Sequence, residues 1–312
     1  MGKKGTTRVT AQDIAKFGDG GIEALMKSLV KDATTGGQEV MEMAAGKLHS
    51  LADQNHHEHA AALFTHGAIP ALVRVLDKGT ADGQSHAAGA LFAIATGKPD
   101  HQAKLVEAGG VKPLVSLLKM GSSKVQEEAA AALAAIEADV SHQKAIIAAG
   151  CIPPLVAMIK GGSVAAQAFA SAALANAAAY SPEAQSSIVK GGAVPQLITL
   201  LGVGKAQHRA ARALALLARN NVTIQTLIAN EGGIAPMLSL LNGLDTDAQV
   251  QAAAALSEMS KDNPETQAAI TKAGGIAPLL ALLTSRSGPA QSTGMAALAQ
   301  LARNNRDNQV GI

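Results

Sequence analysis

Aromatic residues are nearly missing from this chain. Among 312 residues there are no Trp, one Tyr (Tyr180) and four Phe, so aromatics make up only 2% of the sequence. The hydrophobic fraction of 48% must therefore come mainly from Ala, Leu, Ile and Val. Because Ala and Leu lead the helix-propensity ranking, this composition predicts a core of closely packed helices.

Cysteine is also scarce, and neither sign of charge is in excess. The single thiol, Cys151, excludes an internal disulfide and predicts a reducing cytoplasmic or nuclear compartment, of which we expect the cytoplasm. Lys plus Arg total 26 and Asp plus Glu total 24, a net charge of only +2. Nucleic-acid binding draws on a concentrated basic surface that releases counterions. A nucleic acid is therefore not an expected partner.

Long apolar runs do not occur either. The best candidate, residues 165–180, is mostly Ala with polar interruptions, so no membrane-spanning helix and a soluble protein are expected. No apolar stretch follows Lys3 and Lys4, so a secretory signal is not expected. Gly2 and Thr6 do fit the N-myristoylation pattern, although an ordinary N-terminus with chance spacing is the favoured interpretation. One acyl chain binds membranes only marginally, so membrane association is expected only if Gly2 is acylated.

What the chain has instead is a repeat. The pattern Gly-x-(Ile/Val)-x-x-(Leu/Met) recurs along the sequence, with successive copies spaced by 47, 42, 41, 42, 40 and 42 residues. The Gly is suited to end one helix in a left-handed conformation, and a Pro soon after it starts the next helix in most copies. The final apolar residue of each copy is Leu25, Leu72, Leu114, Leu155, Leu197, Met237 and Leu279.

A second periodic element follows each copy and predicts an amphipathic helix, because apolar or small residues recur there at i, i+3 and i+4. A shorter helix is predicted before each Gly, for example over 102–108 and 267–273. Residues 31–37 are predicted to be an insertion between two helices of the first repeat. The central apolar residues of the amphipathic helices, called anchors below, are Leu48, Leu91, Leu133, Leu174, Leu214, Leu256 and Leu298.

Three helices in each unit of roughly 42 residues, separated by Gly and Pro, closely resemble the armadillo repeat family. HEAT repeats are the nearest alternative, but they have two helices per unit. The expected fold is an all-α, right-handed α-α superhelix (an armadillo solenoid) of about seven three-helix repeats. We predict a flexible N-terminus over 1–10, repeats one to seven over 11–307, and the start of an incomplete eighth repeat over 308–312.

The resemblance implies that partners bind along the concave groove formed by the third helices. Importin-α and β-catenin hold partners there with a ladder of Asn two residues after each anchor, and importins add a Trp two residues before it. Of these ladder positions only Asn176 carries Asn, and none of the second positions carries Trp. The resemblance is therefore closer to vacuolar armadillo anchors than to importin-α, and a nuclear-import receptor is not expected.

The groove is instead expected to bind a helix or a folded surface. An acidic partner segment is plausible near Arg212, although Arg209, Arg212 and Arg219 could also be solvated charges on a helix. The predicted partner-binding residues are Asn176, Tyr180, Arg209, Arg212, Leu216, Arg219, Glu258, Gln300 and Arg303.

No catalytic arrangement is recognisable, so the protein is expected to be a non-enzymatic scaffold or adaptor with no cofactor. Cys151 lacks an oriented base, and the histidines of segment 56–59 have neither a Cys nor a second carboxylate beside them, so no metal is expected. Two alternatives stay open. One is a structural component of a ciliary or cytoskeletal assembly, with self-association through the C-terminal end, and the other is a membrane-tethered anchor acylated at Gly2. Fold alone does not identify the partner.

Overall fold

The computed structural model describes residues 9–10, 12–13, 16, 21–54, 56–136 and 139–311, apart from the side chains of 54, 56 and 57. These ranges form twenty-one α-helices and no β-strand, which confirms the predicted all-α class. In chain order the helices are α1 (Gly21–Thr35), α2 (Gln38–Gln54), α3 (His56–Thr65), α4 (Ala68–Lys78), α5 (Ala81–Ala95), α6 (Pro99–Glu107), α7 (Val111–Met120), α8 (Ser123–Ala134), α9 (Val140–Ala148), α10 (Ile152–Gly161), α11 (Val164–Ala178), α12 (Pro182–Lys190), α13 (Val194–Leu200), α14 (Gln207–Ala218), α15 (Val222–Asn230), α16 (Ile234–Leu241), α17 (Thr246–Ser260), α18 (Pro264–Lys272), α19 (Ile276–Leu282), α20 (Gly288–Ala302) and α21 (Arg306–Gly311).

Each of repeats two to seven consists of a short first helix, a second helix and a longer third helix. Between the first and second helices the chain turns at a glycine in the left-handed region, for example Gly232 with φ 83° and Gly274 with φ 81°. A side chain with a β-carbon rarely adopts this conformation, which explains why the repeat pattern places Gly there. The predicted stop-and-restart signal is therefore confirmed at these turns.

The chain divides into two compact units, Met1–Pro154 and Leu155–Ile312. In the N-terminal unit the third helices α2, α5 and α8 pack against one another in chain order. In the C-terminal unit the third helices α11, α14, α17 and α20 do the same. All seven predicted anchors are buried, with Leu298 the most exposed at 5%. Burying a leucine side chain is worth about 1.5–3 kcal/mol, so the anchors hold each stack of third helices together.

Two sequence-based boundaries were wrong. The insertion at 31–37 is mostly helical, because α1 continues through Thr35 and ends only at the two glycines that follow it. The predicted short helices also begin three residues earlier, at Pro99 and Pro264. Proline is accepted in the first turn of a helix, where its missing N–H has no partner to lose. Asn263 caps the second of these helices by accepting a hydrogen bond from the Thr266 N–H at 3.2 Å.

The predicted division at 1–10, 11–307 and 308–312 stays a prediction. Most of the first segment lies outside the described residues, but Val9 is buried and its N–H donates to Ser50 Oγ at 3.3 Å. Near the other end, α21 begins after Asn305, whose side chain accepts from the Asn308 N–H at 3.1 Å.

Amide side chains link successive first helices in the C-terminal unit. In each link an Asn at the start of one first helix donates through Nδ2 to the Oε1 of a Gln on the preceding first helix. The pairs are Asn221 with Gln185 at 3.4 Å, Asn263 with Gln225 at 3.2 Å, and Asn305 with Gln267 at 3.5 Å. The glutamines also donate to main-chain oxygens near the ends of third helices, as Gln267 does to the Gln300 carbonyl at 2.9 Å. Polar groups that leave water need such partners, so these links help to fix the spacing of the repeats.

Candidate protein-binding face

The C-terminal unit presents the predicted ladder positions on one side of its stacked third helices. On each helix, residues two before and two after the anchor are four apart, so they lie on the same helical face. The positions before the anchor are partly or fully exposed, whereas Asn176 and Leu216, after it, are buried at 2% and 7% exposure. We call this set the third-helix face; it comprises Ala172, Asn176, Arg212, Leu216, Ala254, Glu258, Ala296 and Gln300.

Arg212 is oriented by the one Asn of the predicted ladder. Its Nη1 donates to Asn176 Oδ1 on the neighbouring third helix at 2.8 Å. Arg212 is partly buried and Asn176 almost fully buried, so this contact restricts the guanidinium to few orientations. The ladder residue thus positions a charged side chain on the surface of the face.

Arg209 lies one turn before Arg212 on α14 and contacts an aromatic ring. Its guanidinium carbon is 5.1 Å from the centre of the Phe169 ring, which lies at the equivalent position of α11. This distance is within the range of a cation–π contact. Burial lowers the pKa of Arg209 below its ordinary value. Because the ordinary pKa of an arginine lies far above neutral pH, the guanidinium stays charged there.

Arg219 and Arg303 differ from these two arginines because each has an acidic partner on another repeat. Arg219 Nε donates to Glu258 Oε1 at 3.2 Å, and Arg303 Nη1 lies 3.7 Å from Asp262 Oδ1. Both arginines are exposed. Exposed ion pairs of this kind typically contribute less than about 1 kcal/mol to stability.

Two acceptor atoms on the third-helix face have no hydrogen-bond partner within the described part of the chain. They are Glu258 Oε2 and Gln300 Oε1, which occupy the ladder positions of the last two third helices. A buried acceptor without a donor costs about 1–3 kcal/mol. Both atoms are inaccessible to solvent, so these unpaired acceptors are a cost within the stack and do not form part of its binding surface.

The remaining predicted residues take different places. Leu216 is a buried member of the third-helix face, while Tyr180 lies just beyond α11 with 42% exposure. Sequence reasoning missed Phe169 and Asp262. The register of the repeats could have indicated Phe169, since it lies five residues before its anchor, as Arg209 does. Gly2, the possible acylation site, lies outside the described residues.

The other chemical groups considered from the sequence are the histidines of segment 56–59 and Cys151, and the side chains of His56 and His57 lie outside the described residues. Among the described residues, no group of three His, Cys, Asp or Glu could hold a metal ion. Cys151 is fully buried, and burial raises the pKa of its thiol to about 12. Among the helices described, none is by itself long and apolar enough to cross a membrane, although two pairs bent by 80° together pass the same length and composition test.

Comparison with known proteins agrees with this architecture. The armadillo/beta-catenin-like repeat model matches residues 98–134. A designed armadillo repeat protein, YIII(Dq)4CqI, is 30% identical with a TM-score of 0.67, and the match covers 75% of this chain and 99% of that chain. The chain belongs to the armadillo repeat family. An engineered protein from the Northeast Structural Genomics Consortium has 36% identity and a TM-score of 0.77 over 91% of this chain and 70% of its own.

Two further relatives concern binding. A designed armadillo repeat protein in complex with the peptide (KR)4 is 27% identical, with a TM-score of 0.64 over 75% of this chain and 99% of that one. An Arabidopsis thaliana protein described as an "ARM repeat protein interacting with ABF2" is 38% identical over 81 residues, 23% of this chain. This chain matches only 11% of that relative's length. Armadillo repeats commonly form protein-binding scaffolds and are typically non-enzymatic, and this chain has their fold.

Proposed function

We propose that this armadillo protein is a non-enzymatic scaffold or adaptor that binds a helical or folded protein segment on the third-helix face of its C-terminal unit. The observation that carries the proposal is the combination of small residues and one oriented charge at equivalent positions. Ala172, Ala254 and Ala296 leave room for a partner backbone to approach, and Arg212 lies among them, held by Asn176.

A placed polar group among the small residues supports this proposal. Arg212 supplies donors on α14, beside Ala172 and Ala254 of the two neighbouring third helices. Binding sites usually combine apolar area with a few placed polar groups that fix orientation. An acidic or neutral partner fits the first half of this face better than a basic peptide such as (KR)4, because Arg209 and Arg212 repel basic side chains.

Cytoplasmic localisation, acylation at Gly2, self-association and a role in a larger assembly stay predictions. Cytoplasmic localisation is supported by the single cysteine. Acylation would be detected by incorporation of a myristate label that is lost in Gly2→Ala.

A steric block on the face tests the proposed function. Ala296 is exposed on α20, and Ala281 is exposed on the second helix α19 of the same repeat, outside the third-helix face. Ala296→Trp and Ala281→Trp therefore make the same chemical change in one repeat. Affinity capture from the native cells with each variant and the wild type, followed by quantitative mass spectrometry, compares their partners. Thermal unfolding checks that both variants fold.

We expect partners that use the face to be lost with Ala296→Trp and retained with Ala281→Trp. Ala254→Trp, on the adjacent third helix α17, should remove the same partners. If every partner of the wild type is retained by both face variants, the third-helix face is not the binding surface and the proposal is wrong.

A further inference from the structure

Arg209 and Arg212 form no ion pair with any residue of the described ranges, although both are partly buried. The more exposed Arg219 and Arg303 do have acidic partners. Burying a charge is unfavourable unless it is paired, so an unpaired arginine would be expected at the exposed positions. The distribution here is the reverse.

The two arginines have no acidic residue on their own helix or on the helix that carries their contacts. Helix α14 contains no acidic residue, and α11, which packs against it, contains no charged residue at all. On the other neighbour, α17, Glu258 pairs with Arg219, and Asp247 forms no ion pair among the described residues. The two guanidinium groups are three residues apart on one helix and therefore face the same side. Their charges repel each other, and a negative group placed between them would relieve that repulsion.

The contacts of both side chains leave hydrogen-bonding capacity available. Arg212 uses Nη1 to bind Asn176, and the edge formed by its Nε and Nη2 has no partner among the described residues. A guanidinium presents two parallel N–H groups along such an edge, which match the two oxygens of a carboxylate. The Phe169 ring covers one side of the Arg209 guanidinium. The N–H groups of Arg209 point outward in the guanidinium plane and have no acceptor among the described residues.

We infer that Arg209 and Arg212 form a recognition site for the carboxylate of an Asp or Glu side chain on a bound protein segment. Asn176 and Phe169 act as positioning residues for the two guanidinium groups. This inference rests on the proposed function and adds the chemistry of the partner to it. We expect the ligand to be an acidic protein segment, because the small side chains of Ala172 and Ala254 leave room for a polypeptide backbone beside the arginines.

Charge complementarity is the test of this site. The full chain is titrated against a fluorescently labelled peptide of alternating Asp and Glu, matched in length to (KR)4. The basic peptide (KR)4 and a Gly-Ser peptide of the same length serve as comparisons. The binding variants are Arg212→Gln and Arg209→Gln. Arg303→Gln is the matched control, because it removes the same charge from an exposed arginine of the same unit.

We expect the acidic peptide to bind at least about tenfold more tightly than either comparison peptide. Hydrogen bonds to charged groups predict a loss of roughly tenfold in Arg212→Gln and a smaller loss in Arg209→Gln. Arg303→Gln should change affinity less than about twofold, since exposed charges contribute little. If Arg303→Gln weakens binding as much as Arg212→Gln, the attraction is general and the site is refuted.

A second variant tests the positioning role of Asn176. Asn176→Asp has nearly the same shape but places a carboxylate against Arg212, where the amide oxygen is now 2.8 Å away. Asn176→Asp should weaken binding of the acidic peptide about as much as Arg212→Gln does. The double variant Asn176→Asp/Arg212→Gln should bind the peptide little more weakly than either single variant. Additive losses of affinity in the double variant would contradict the shared site.

The choice of a carboxylate over a phosphate is tested separately. A peptide of alternating phosphoserine and Ala is compared with one of alternating Glu and Ala, and tighter binding of the first by more than about tenfold would overturn the carboxylate assignment.

The outcomes separate this inference from the proposed function. If Ala296→Trp removes native partners while Arg209→Gln and Arg212→Gln leave them bound, the third-helix face is the binding surface and the carboxylate site is wrong. If the tryptophan variants remove nothing, the proposed function itself fails.

Discussion

Replacing Asn263 should destabilise the C-terminal unit more than its short side chain suggests. Asn263 is buried, caps α18 through the Thr266 N–H, and donates through Nδ2 to Gln225 Oε1 and Thr226 Oγ1, both at 3.2 Å. Loss of a helix N-cap costs about 1 kcal/mol. Each lost buried hydrogen bond adds about 1 kcal/mol. Asn263→Ala should therefore lower the unfolding free energy by roughly 3 kcal/mol.

Urea unfolding followed by far-UV circular dichroism measures this loss, and the slope of the transition shows whether the array still unfolds cooperatively. Asn263→Ser is the matched variant, because its hydroxyl can still cap α18 but does not reproduce the amide donor. It should cost less than Asn263→Ala. Asn221→Ala, where the equivalent bond to Gln185 is longer at 3.4 Å, should also cost less. A loss below about 1 kcal/mol in Asn263→Ala would refute the reasoning.

Three further predictions concern single groups. Cys151 should react with a thiol reagent only as the protein unfolds, because burial raises its pKa to about 12 and hides the sulfur; fast labelling of the native protein would contradict this. Burial lowers the pKa of His49 and His86, so the unfolded chain binds more protons, and the unfolding free energy should fall as pH drops below about 6.5. Midpoints of thermal unfolding measured across that pH range check this prediction, and the double variant His49→Asn/His86→Asn should show a weaker dependence of stability on pH. Gly274→Ala should cost about 1–2 kcal/mol from backbone strain alone, because no neighbouring atom lies within 4 Å of the new β-carbon, whereas Gly274→Asn should cost less in the same urea assay.

The sequence predicted the helices and their order because each repeat places a Gly, an apolar residue and an anchor at fixed intervals. Those features act locally: Gly274 ends a helix, and Leu298 marks the buried side of the next long helix. The bonds between repeats were not predicted. Asn263 and Gln225 are 38 residues apart, and their contact depends on how the repeats stack, which no single repeat encodes.

The candidate face could be predicted only in part. Repeat register placed Arg212 and Asn176 on the correct side of their helices, and the structure brings them within 2.8 Å. Register could not show that Arg219 binds Glu258 while Arg209 contacts Phe169, since side-chain partners depend on rotamers and on the neighbouring repeat. Three arginines that look equivalent in the sequence therefore have three different environments.

The structure also explains how the family's Asn ladder can change while the fold persists. Buried amides such as Asn263 and Gln225 link the repeats on the side of the first helices. On the side of the third helices, the exposed Arg219 pairs with the partly exposed Glu258, and loss of such a pair costs little stability. Exposed residues on that side can consequently vary with the partner without unfolding the stack. For this reason membership of the armadillo family establishes the architecture, whereas the partner must be inferred from the side chains of the face itself.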